Sequence, residues 1–303
     1  MELECKVMCD TPITLKRTYR TISGEFTNVV PCGKCLSCLR RRQGAWSFRL
    51  SEQMKVSHSS AFLTLTYTDL SMPYSESGRP TLKKDDFQRF MKRLRKALPV
   101  KMVENKDGEQ YNLYQLKYYA CGEYGSRTMR PHYHCIMFNL PQAYIQDPQR
   151  LEAHWSLGYL RLDPCNSATI NYTTKYIMKG SWKKDDMVNI ETGEITEDDR
   201  VPEFSLMSKK LGKEYLTPAM RRYYKQNIVN YVTLPGGVKV SLPRYYREQI
   251  FGITERKIIA MESKKVRESL LEQRFHDEYH KVEYVRDLER RMEKQQQLTR
   301  NKI

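Results

Sequence analysis

Alternation of apolar and polar residues predicts four strands in the first two thirds of the chain. Residues 61–68 (AFLTLTYT), 114–125 (YQLKYYACGEYG), 130–138 (RPHYHCIMF) and 158–163 (GYLRLD) are rich in β-branched, aromatic and other apolar residues. Only a short loop separates the second segment from the third, and such a connection is typical of an antiparallel hairpin. We therefore expect these two strands to pair.

Apolar residues at helical spacing predict helices between and after these strands. Residues 81–98, 142–155 and 168–179 follow this spacing, and Asn166 or Ser167 is a suitable N-cap for the third helix. In the first of these helices the apolar positions are Phe87, Phe90, Met91, Leu94, Ala97 and Leu98. The order β-α-β-β-α-β-α predicts an α+β fold, with a mostly antiparallel central sheet of about five strands and helices packed on it.

The flanking segments have different patterns and suggest four regions. Residues 1–56 form a Cys-rich, basic N-terminal segment that ends in an amphipathic helix. Residues 57–220 form the core, 221–248 a β-hairpin around a Pro-Gly-Gly turn, and 249–303 a charged C-terminal helical region.

The charge balance narrows the kind of partner. Fifty-two Lys and Arg residues against 36 Asp and Glu give a formal net charge of +16, which favours a polyanion such as nucleic acid. Twenty-one tyrosines and nine phenylalanines supply rings on which the bases of a single strand can stack. We find no run of about 18 apolar residues and no signal-peptide pattern, so we expect no membrane partner and a cytoplasmic protein with reduced cysteines.

Two of the six histidines lie one residue apart in the third predicted strand. Side chains at i and i+2 point to the same face of a strand, so His132 and His134 stand side by side. A tight hairpin brings Glu123 opposite them, and two imidazoles with one carboxylate make a site for Mg²⁺ or Mn²⁺, with zinc as an alternative. Two structural histidines beside an exposed acid are the other interpretation of this pattern.

The predicted helix over 168–179 carries an unusual polar face. At about 100° per residue, Tyr172, Lys175, Tyr176 and Lys179 fall on one side of it. A tyrosine oxygen can attack a phosphodiester and hold it covalently, and neighbouring cations offset charge on the phosphoryl oxygens. Taken alone, the pattern also fits an ordinary solvated helix face.

Together these segments resemble the three ordered motifs of HUH endonucleases, in particular rolling-circle replication initiators with two tyrosines. The motifs here are FLTLTY (Phe62–Tyr67), PHYH (Pro131–His134) and Tyr172-x-x-Lys175-Tyr176. PCGKCLSCLRRR, GEYGSRTMRPHYH and FSLMSKKLG further resemble replication initiation proteins of gokushovirus-type Microviridae, which are single-stranded DNA phages. The resemblance extends from about residue 32 to residue 216.

The resemblance implies an HUH endonuclease-like fold and a metal site within it. It implies that Glu123, His132 and His134 bind the catalytic divalent metal, with Glu123 the position at which family members differ. Thr64 and Thr66 belong to the first motif, whose implied role is mainly structural, as the strand beside the metal hairpin.

The same resemblance implies a reaction and its partners. Tyr172 and Tyr176 are implied as the nucleophile pair and Lys175 as the cation at the scissile phosphate. The substrates are single-stranded origin DNA and viral replicative-form DNA, in the cytoplasm of the bacterial host. The chain has no G-x4-G-K-[ST] motif, so a host helicase has to unwind the duplex and a host polymerase to copy it.

A C-x2-C-x2-C run near the N-terminus predicts a separate metal site. Cys32, Cys35 and Cys38, completed by Cys9 or Cys5, suit one structural Zn²⁺ with four thiolates. Free thiols and an iron–sulfur cluster are the alternatives. The basic residues Arg40, Arg41 and Arg42 that follow suit either DNA phosphates or solvent.

Three functions therefore compete. A metal-dependent DNA strand transferase with two tyrosines accounts for the most motifs. A single-tyrosine relaxase or transposase and a non-enzymatic, zinc-stabilised DNA-binding module are the alternatives, and covalent protein–DNA adduct formation distinguishes the last from the other two.

Overall fold

The computed structural model describes residues 9–21, 24–105, 108–175, 187–188, 195–196, 198–234, 237–274, 286–287 and 290. The chain divides into two units, which we name the central unit (Arg49–Glu214) and the terminal unit (Met1–Phe48 with Tyr215–Asn301).

Strands and helices are interspersed along the described parts of the chain. The strands are β1 Ile13–Thr21, β2 Gly24–Val30, β3 Ser60–Tyr67, β4 Met102–Glu104, β5 Gln110–Asn112, β6 Lys117–Tyr124, β7 Pro131–Phe138, β8 Gly158–Pro164, β9 Met187–Val188, β10 Ile195–Thr196, β11 Phe204–Met207, β12 Tyr231–Thr233 and β13 Lys239–Ser241. The helices are α1 Leu36–Val56, α2 Lys84–Ala97, α3 Gln142–Gln146, α4 Gln149–Glu152, α5 Ser167–Lys175, α6 Pro218–Asn227, α7 Arg244–Ile250 and α8 Ile253–Arg274.

A five-stranded antiparallel sheet organises the central unit. Its strand order is β11-β6-β7-β3-β8, so β3 lies between the predicted hairpin and the edge strand β8. The predicted α+β class and the antiparallel sheet of about five strands are confirmed. The sequence did not predict β11, which supplies the fifth strand.

Alternation along β3 sends its side chains to two different environments. Leu63, Leu65 and Tyr67 are buried in the main core together with Phe87 and the other apolar residues of α2. Of the predicted apolar face of α2, Ala97 is exposed because the helix ends there. The opposite side of β3 carries Phe62, Thr64 and Thr66, the side of the candidate site.

A glycine allows β8 to approach β3 closely. A Cβ atom at Gly158 would lie 2.1 Å from the backbone oxygen of Thr66. The same oxygen accepts a hydrogen bond from the indole of Trp155 at 3.0 Å. Any side chain at position 158 would therefore displace the edge strand.

The terminal unit has its own apolar cluster, which includes Phe48, Tyr224, Tyr246 and Ile250. The predicted hairpin around the Pro-Gly-Gly turn is present as β12 and β13. The β1–β2 hairpin is an addition to the predicted elements. No helix in the described ranges is long and apolar enough to cross a membrane.

Candidate metal and nucleophile site

The β6–β7 hairpin places the predicted metal ligands together. Glu123 lies directly opposite His132 in the antiparallel register, and His134 lies opposite Cys121 on the same sheet face. Glu123 and His134 are buried, and one ligand atom from each of the three residues lies within 4.8 Å of the others. The two imidazoles stand edge to face, with ring centroids 4.9 Å apart.

One carboxylate oxygen faces both rings. Oε1 of Glu123 lies 2.5 Å from Nε2 of His132 and 2.9 Å from Nε2 of His134. Burial raises the pKa of Glu123, but the hydrogen bonds and charges of the two histidines outweigh it and hold the pKa at about 2. The carboxylate is therefore ionised at neutral pH.

The far side of each ring is held by a backbone or side-chain oxygen. Nδ1 of His132 lies 3.1 Å from the carbonyl oxygen of Arg130, and Nδ1 of His134 lies 3.1 Å from Oγ1 of Thr64. A carbonyl only accepts, so Nδ1 of His132 carries a proton, and in the neutral ring Nε2 presents a lone pair to Glu123. A lone pair facing a carboxylate is stable only with a cation between them, either a proton or a metal ion. This donor set fits a divalent metal.

Helix α5 brings a phenol to the same place. Asn166 caps the helix by accepting a hydrogen bond from the Thr169 backbone at 3.0 Å, as predicted for this position. Ile170 and Thr173 are buried beneath the helix, which leaves Tyr172 half exposed at 44%. Its hydroxyl lies 3.5 Å from Nε2 of His134.

An aromatic side chain from β3 supports both groups. Phe62 stacks on His134, with ring centroids 5.3 Å apart and an interplanar angle of 11°. The edge of Phe62 also contacts Tyr172, at a centroid distance of 6.1 Å. The sequence analysis named neither Phe62 nor the Arg130 carbonyl as part of the site. Alternation along β3 is the signal that places Phe62 on the same face as Thr64.

The second predicted tyrosine cannot be placed in the same way. Lys175 is the last described residue of α5 and is exposed. Tyr176 and Lys179 lie outside the described residues. The described part of the site therefore joins a carboxylate, two imidazoles and one phenol, with a lysine one helical turn beyond that phenol.

The four predicted cysteine ligands come together in the terminal unit. The sulfur atoms of Cys9, Cys32, Cys35 and Cys38 all lie within 4.8 Å of one another, and those of Cys9 and Cys35 are 3.8 Å apart. Tetrahedral zinc with Zn–S bonds of about 2.3 Å requires sulfur atoms about 3.8 Å apart. Cys9 therefore takes the position that the sequence left open between Cys9 and Cys5, and Cys5 lies outside the described residues.

The turn through the cysteine run presents backbone N–H groups to sulfur. Gly33 has a φ of 75°, and the N–H groups of Lys34 and Cys35 point to Sγ of Cys32 at 3.4 and 3.2 Å. Burial opposes the effect, but these bonds and one from Thr11 lower the pKa of the Cys32 thiol to about 6. The ionised form of this sulfur, the form that binds metals, is favoured.

Burial raises the pKa of the Cys35 and Cys38 thiols, as expected for sulfurs packed together without a cation. Of the three arginines that follow the run, Arg40 and Arg42 are exposed, whereas Arg41 points to Sγ of Cys38 at 3.8 Å. The predicted basic stretch therefore serves partly as a neighbour of the sulfur cluster.

Comparison with known proteins points in one direction. The sequence model of the replication-associated protein ORF2 family matches residues 60–181, which include β3, the β6–β7 hairpin and α5. The chain is 30% identical over 230 residues to replication-associated protein ORF2 of Spiroplasma virus 4, covering 72% of this chain and 66% of that protein.

Two further relatives are more distant. Replication-associated protein VP4 of Bdellovibrio phage phiMH2K is 26% identical over 244 residues, covering 76% of this chain and 70% of that protein. Replication-associated protein ORF4 of Chlamydia phage 1 is 23% identical over 255 residues, with coverages of 79% and 56%. No solved structure matches the chain.

Proposed function

Because the chain belongs to the replication-associated protein ORF2 family, we propose that it initiates rolling-circle replication by nicking single-stranded DNA at a viral origin and rejoining it. The proposed activity is that of an HUH-type endonuclease and strand transferase with an HUH endonuclease-like core. It proceeds through a 5′-phosphotyrosine intermediate. The net charge of +16 supports DNA as the substrate.

The observation that carries this proposal is the position of the Tyr172 hydroxyl. It lies 3.5 Å from Nε2 of His134, and that nitrogen lies 2.9 Å from Oε1 of Glu123. A phosphate beside the Glu123–His132–His134 cluster would therefore lie within reach of the phenol. An ordinary solvated helix face has no reason to aim a tyrosine at two buried histidine–carboxylate contacts.

The chemical step is a transesterification at phosphorus. The Tyr172 oxygen forms a bond to the phosphorus atom, the bond from phosphorus to the 3′ oxygen breaks, and the phenol's proton is transferred in net terms to that leaving oxygen. The products are a 5′-phosphotyrosine and a free 3′ hydroxyl from which synthesis can start. The ammonium group of Lys175 offsets negative charge at the scissile phosphate.

Glu123, His132 and His134 would hold Mg²⁺ or Mn²⁺ in this proposal. A divalent cation supplies Lewis-acid polarisation of the phosphoryl oxygens. The carbonyl of Arg130 and the hydroxyl of Thr64 orient the two imidazoles, which fixes the nitrogen atoms that face the carboxylate.

Two tyrosines account for the end of the round. After one circuit the second phenol, Tyr176, cuts the regenerated origin, and the released 3′ hydroxyl attacks the phosphotyrosine on the first. Each exchange replaces one phosphodiester by another, so ligation needs no ATP. The replicative-form DNA, a host helicase and a host polymerase are the further partners of this reaction, which takes place in the cytoplasm of the bacterial host.

The experiment that tests the proposal is incubation with single-stranded origin DNA and Mn²⁺, followed by a denaturing gel. An adduct that resists denaturation and is lost with EDTA is the expected result. Tight DNA binding without an adduct would favour the zinc-stabilised DNA-binding module instead. An adduct without rejoining on a circular template would favour a single-tyrosine relaxase or transposase.

A further inference from the structure

The edge strand β8 presents two exposed side chains on the face of the candidate site. In the sheet register Tyr159 lies opposite Thr66, which in turn lies opposite His132. Residues directly opposite one another in an antiparallel sheet share a face, so Tyr159 and His132 point to the same side. Two strand spacings, about 10 Å in total, separate them.

The next position on that face of β8 is an arginine. Arg161 lies opposite Thr64, and Thr64 lies opposite His134. Tyr159 and Arg161 therefore run parallel to the two histidines. The intervening residue, Leu160, is buried in the main core on the other side of the sheet.

Both side chains face the surroundings of the protein. Tyr159 is 69% exposed, and the side chain of Arg161 is 77% exposed. Asp163, two residues along the strand, accepts hydrogen bonds from two guanidinium nitrogens of Arg161, at 2.9 and 3.1 Å. This contact holds the guanidinium over the sheet face, where an exposed pair contributes little to stability.

We propose that Tyr159 and Arg161 form a binding track for the single strand next to the scissile phosphate. The Tyr159 ring stacks on a base, and the Arg161 guanidinium binds a backbone phosphate. The inference rests on the proposed nicking function, because that function defines which phosphate lies at His132 and His134. It adds a substrate-binding role for two residues outside the three motifs.

Substitutions separate the two contacts. Tyr159→Thr keeps the β-propensity of the strand and removes the ring, so single-stranded DNA should bind about 5- to 150-fold more weakly, while Tyr159→Phe should bind like wild type. Arg161→Ala should lower the dependence of log affinity on log salt by about 0.7, the value for one phosphate contact on a single strand. Matched controls are Tyr111→Thr, at an exposed tyrosine of β5, and Arg150→Ala, at an exposed pair with Asp147.

The measurement is fluorescence anisotropy with a labelled origin oligonucleotide in EDTA, so that binding is scored without cleavage. A second assay places 5-bromodeoxyuridine at successive positions around the cut and maps photo-crosslinks by mass spectrometry. A crosslink to Tyr159 from a position within a few nucleotides of the cut is expected.

Unchanged affinity of Tyr159→Thr and an unchanged salt slope of Arg161→Ala, in a protein that still forms the adduct, would overturn the track. An absent adduct in wild type, with the predicted losses of binding intact, would instead reject the nicking function and leave the track standing as a DNA-binding surface.

Discussion

Oγ1 of Thr64 lies 3.1 Å from Nδ1 of His134, on the side of the ring away from Glu123. This contact links the first sequence motif to the metal cluster by a hydrogen bond, whereas the sequence suggested only a structural role for Thr64. Groups that bind the far nitrogen of a ligating histidine set its orientation and basicity.

We predict that Thr64→Val raises the Mn²⁺ concentration needed for half-maximal adduct formation by about 10- to 100-fold. The substitution keeps the shape and the β-propensity of the side chain but removes the hydroxyl. Thr66→Val is the matched control, because the Thr66 hydroxyl contacts only a carbonyl at 3.5 Å on the edge strand. Equal metal dependence of the two variants would remove the positioning role.

The histidines themselves should separate chemistry from binding. His132→Ala or His134→Ala should abolish the adduct and leave affinity for single-stranded DNA within about threefold of wild type, because affinity is mainly electrostatic. His58→Ala, at an exposed histidine, is the control and should retain adduct formation. Equal cleavage by wild type and mutant after EDTA treatment and metal readdition would refute the metal assignment.

The cysteine cluster predicts about one zinc per chain by elemental analysis. Cys35→Ser should lose that metal and lower the melting temperature by about 5 °C or more, since structural zinc binding is coupled to folding. Cys165→Ser, at a half-buried cysteine outside the cluster, should keep the zinc. Metal-free wild-type protein with an unchanged melting temperature would show that the thiols are structural without metal.

Two glycines should respond to alanine in opposite directions. Gly158→Ala forces a Cβ against the Thr66 carbonyl and should destabilise the fold by roughly 1–3 kcal/mol. Gly44→Ala, in the exposed middle of α1 with nothing within 4 Å, should stabilise it by about 0.5–1 kcal/mol. Denaturant unfolding of both variants measures the difference, and shifts of the same sign would contradict the close approach of β8 to β3.

The sequence predicted those parts of the fold whose pattern is local. Strands β3, β6, β7 and β8 and helix α2 are long enough for their periodicity to be read, and the family match confirms the resemblance to phage replication proteins. Strand β11 has only four half-buried residues, so it offers no alternation to read. Its place beside β6 is fixed by pairing with a strand about 80 residues earlier.

The candidate site divides in the same way. The sheet face shared by His132 and His134 follows from strand geometry, and Glu123 follows from the short hairpin. The stacking of Phe62 on His134 and the bond from Thr64 depend on which strand pairs with β7. That choice is made by the core packing of the whole sheet, which no local pattern contains.

The tyrosines should differ in dispensability, and the reason is geometric. Side chains at i and i+4 of a helix lie about 6 Å apart, so either phenol of the pair Tyr172 and Tyr176 could reach a phosphate bound at the same cluster. Tyr172→Phe or Tyr176→Phe alone should therefore retain some adduct with a short origin oligonucleotide. Each single variant should fail to complete a second cut and rejoining on a circular template, because alternation needs both phenols.

The double variant gives the sharper result. Tyr172→Phe combined with Tyr176→Phe should form no adduct while binding DNA normally, as scored on a denaturing gel and by anisotropy. Tyr159→Phe is the control, because it removes a phenol from the same sheet face without touching the pair. An adduct formed by the double variant would place the nucleophile among the other nineteen tyrosines of the 21 in the chain. The hydroxyl 3.5 Å from His134 would then have a role other than attack on phosphorus.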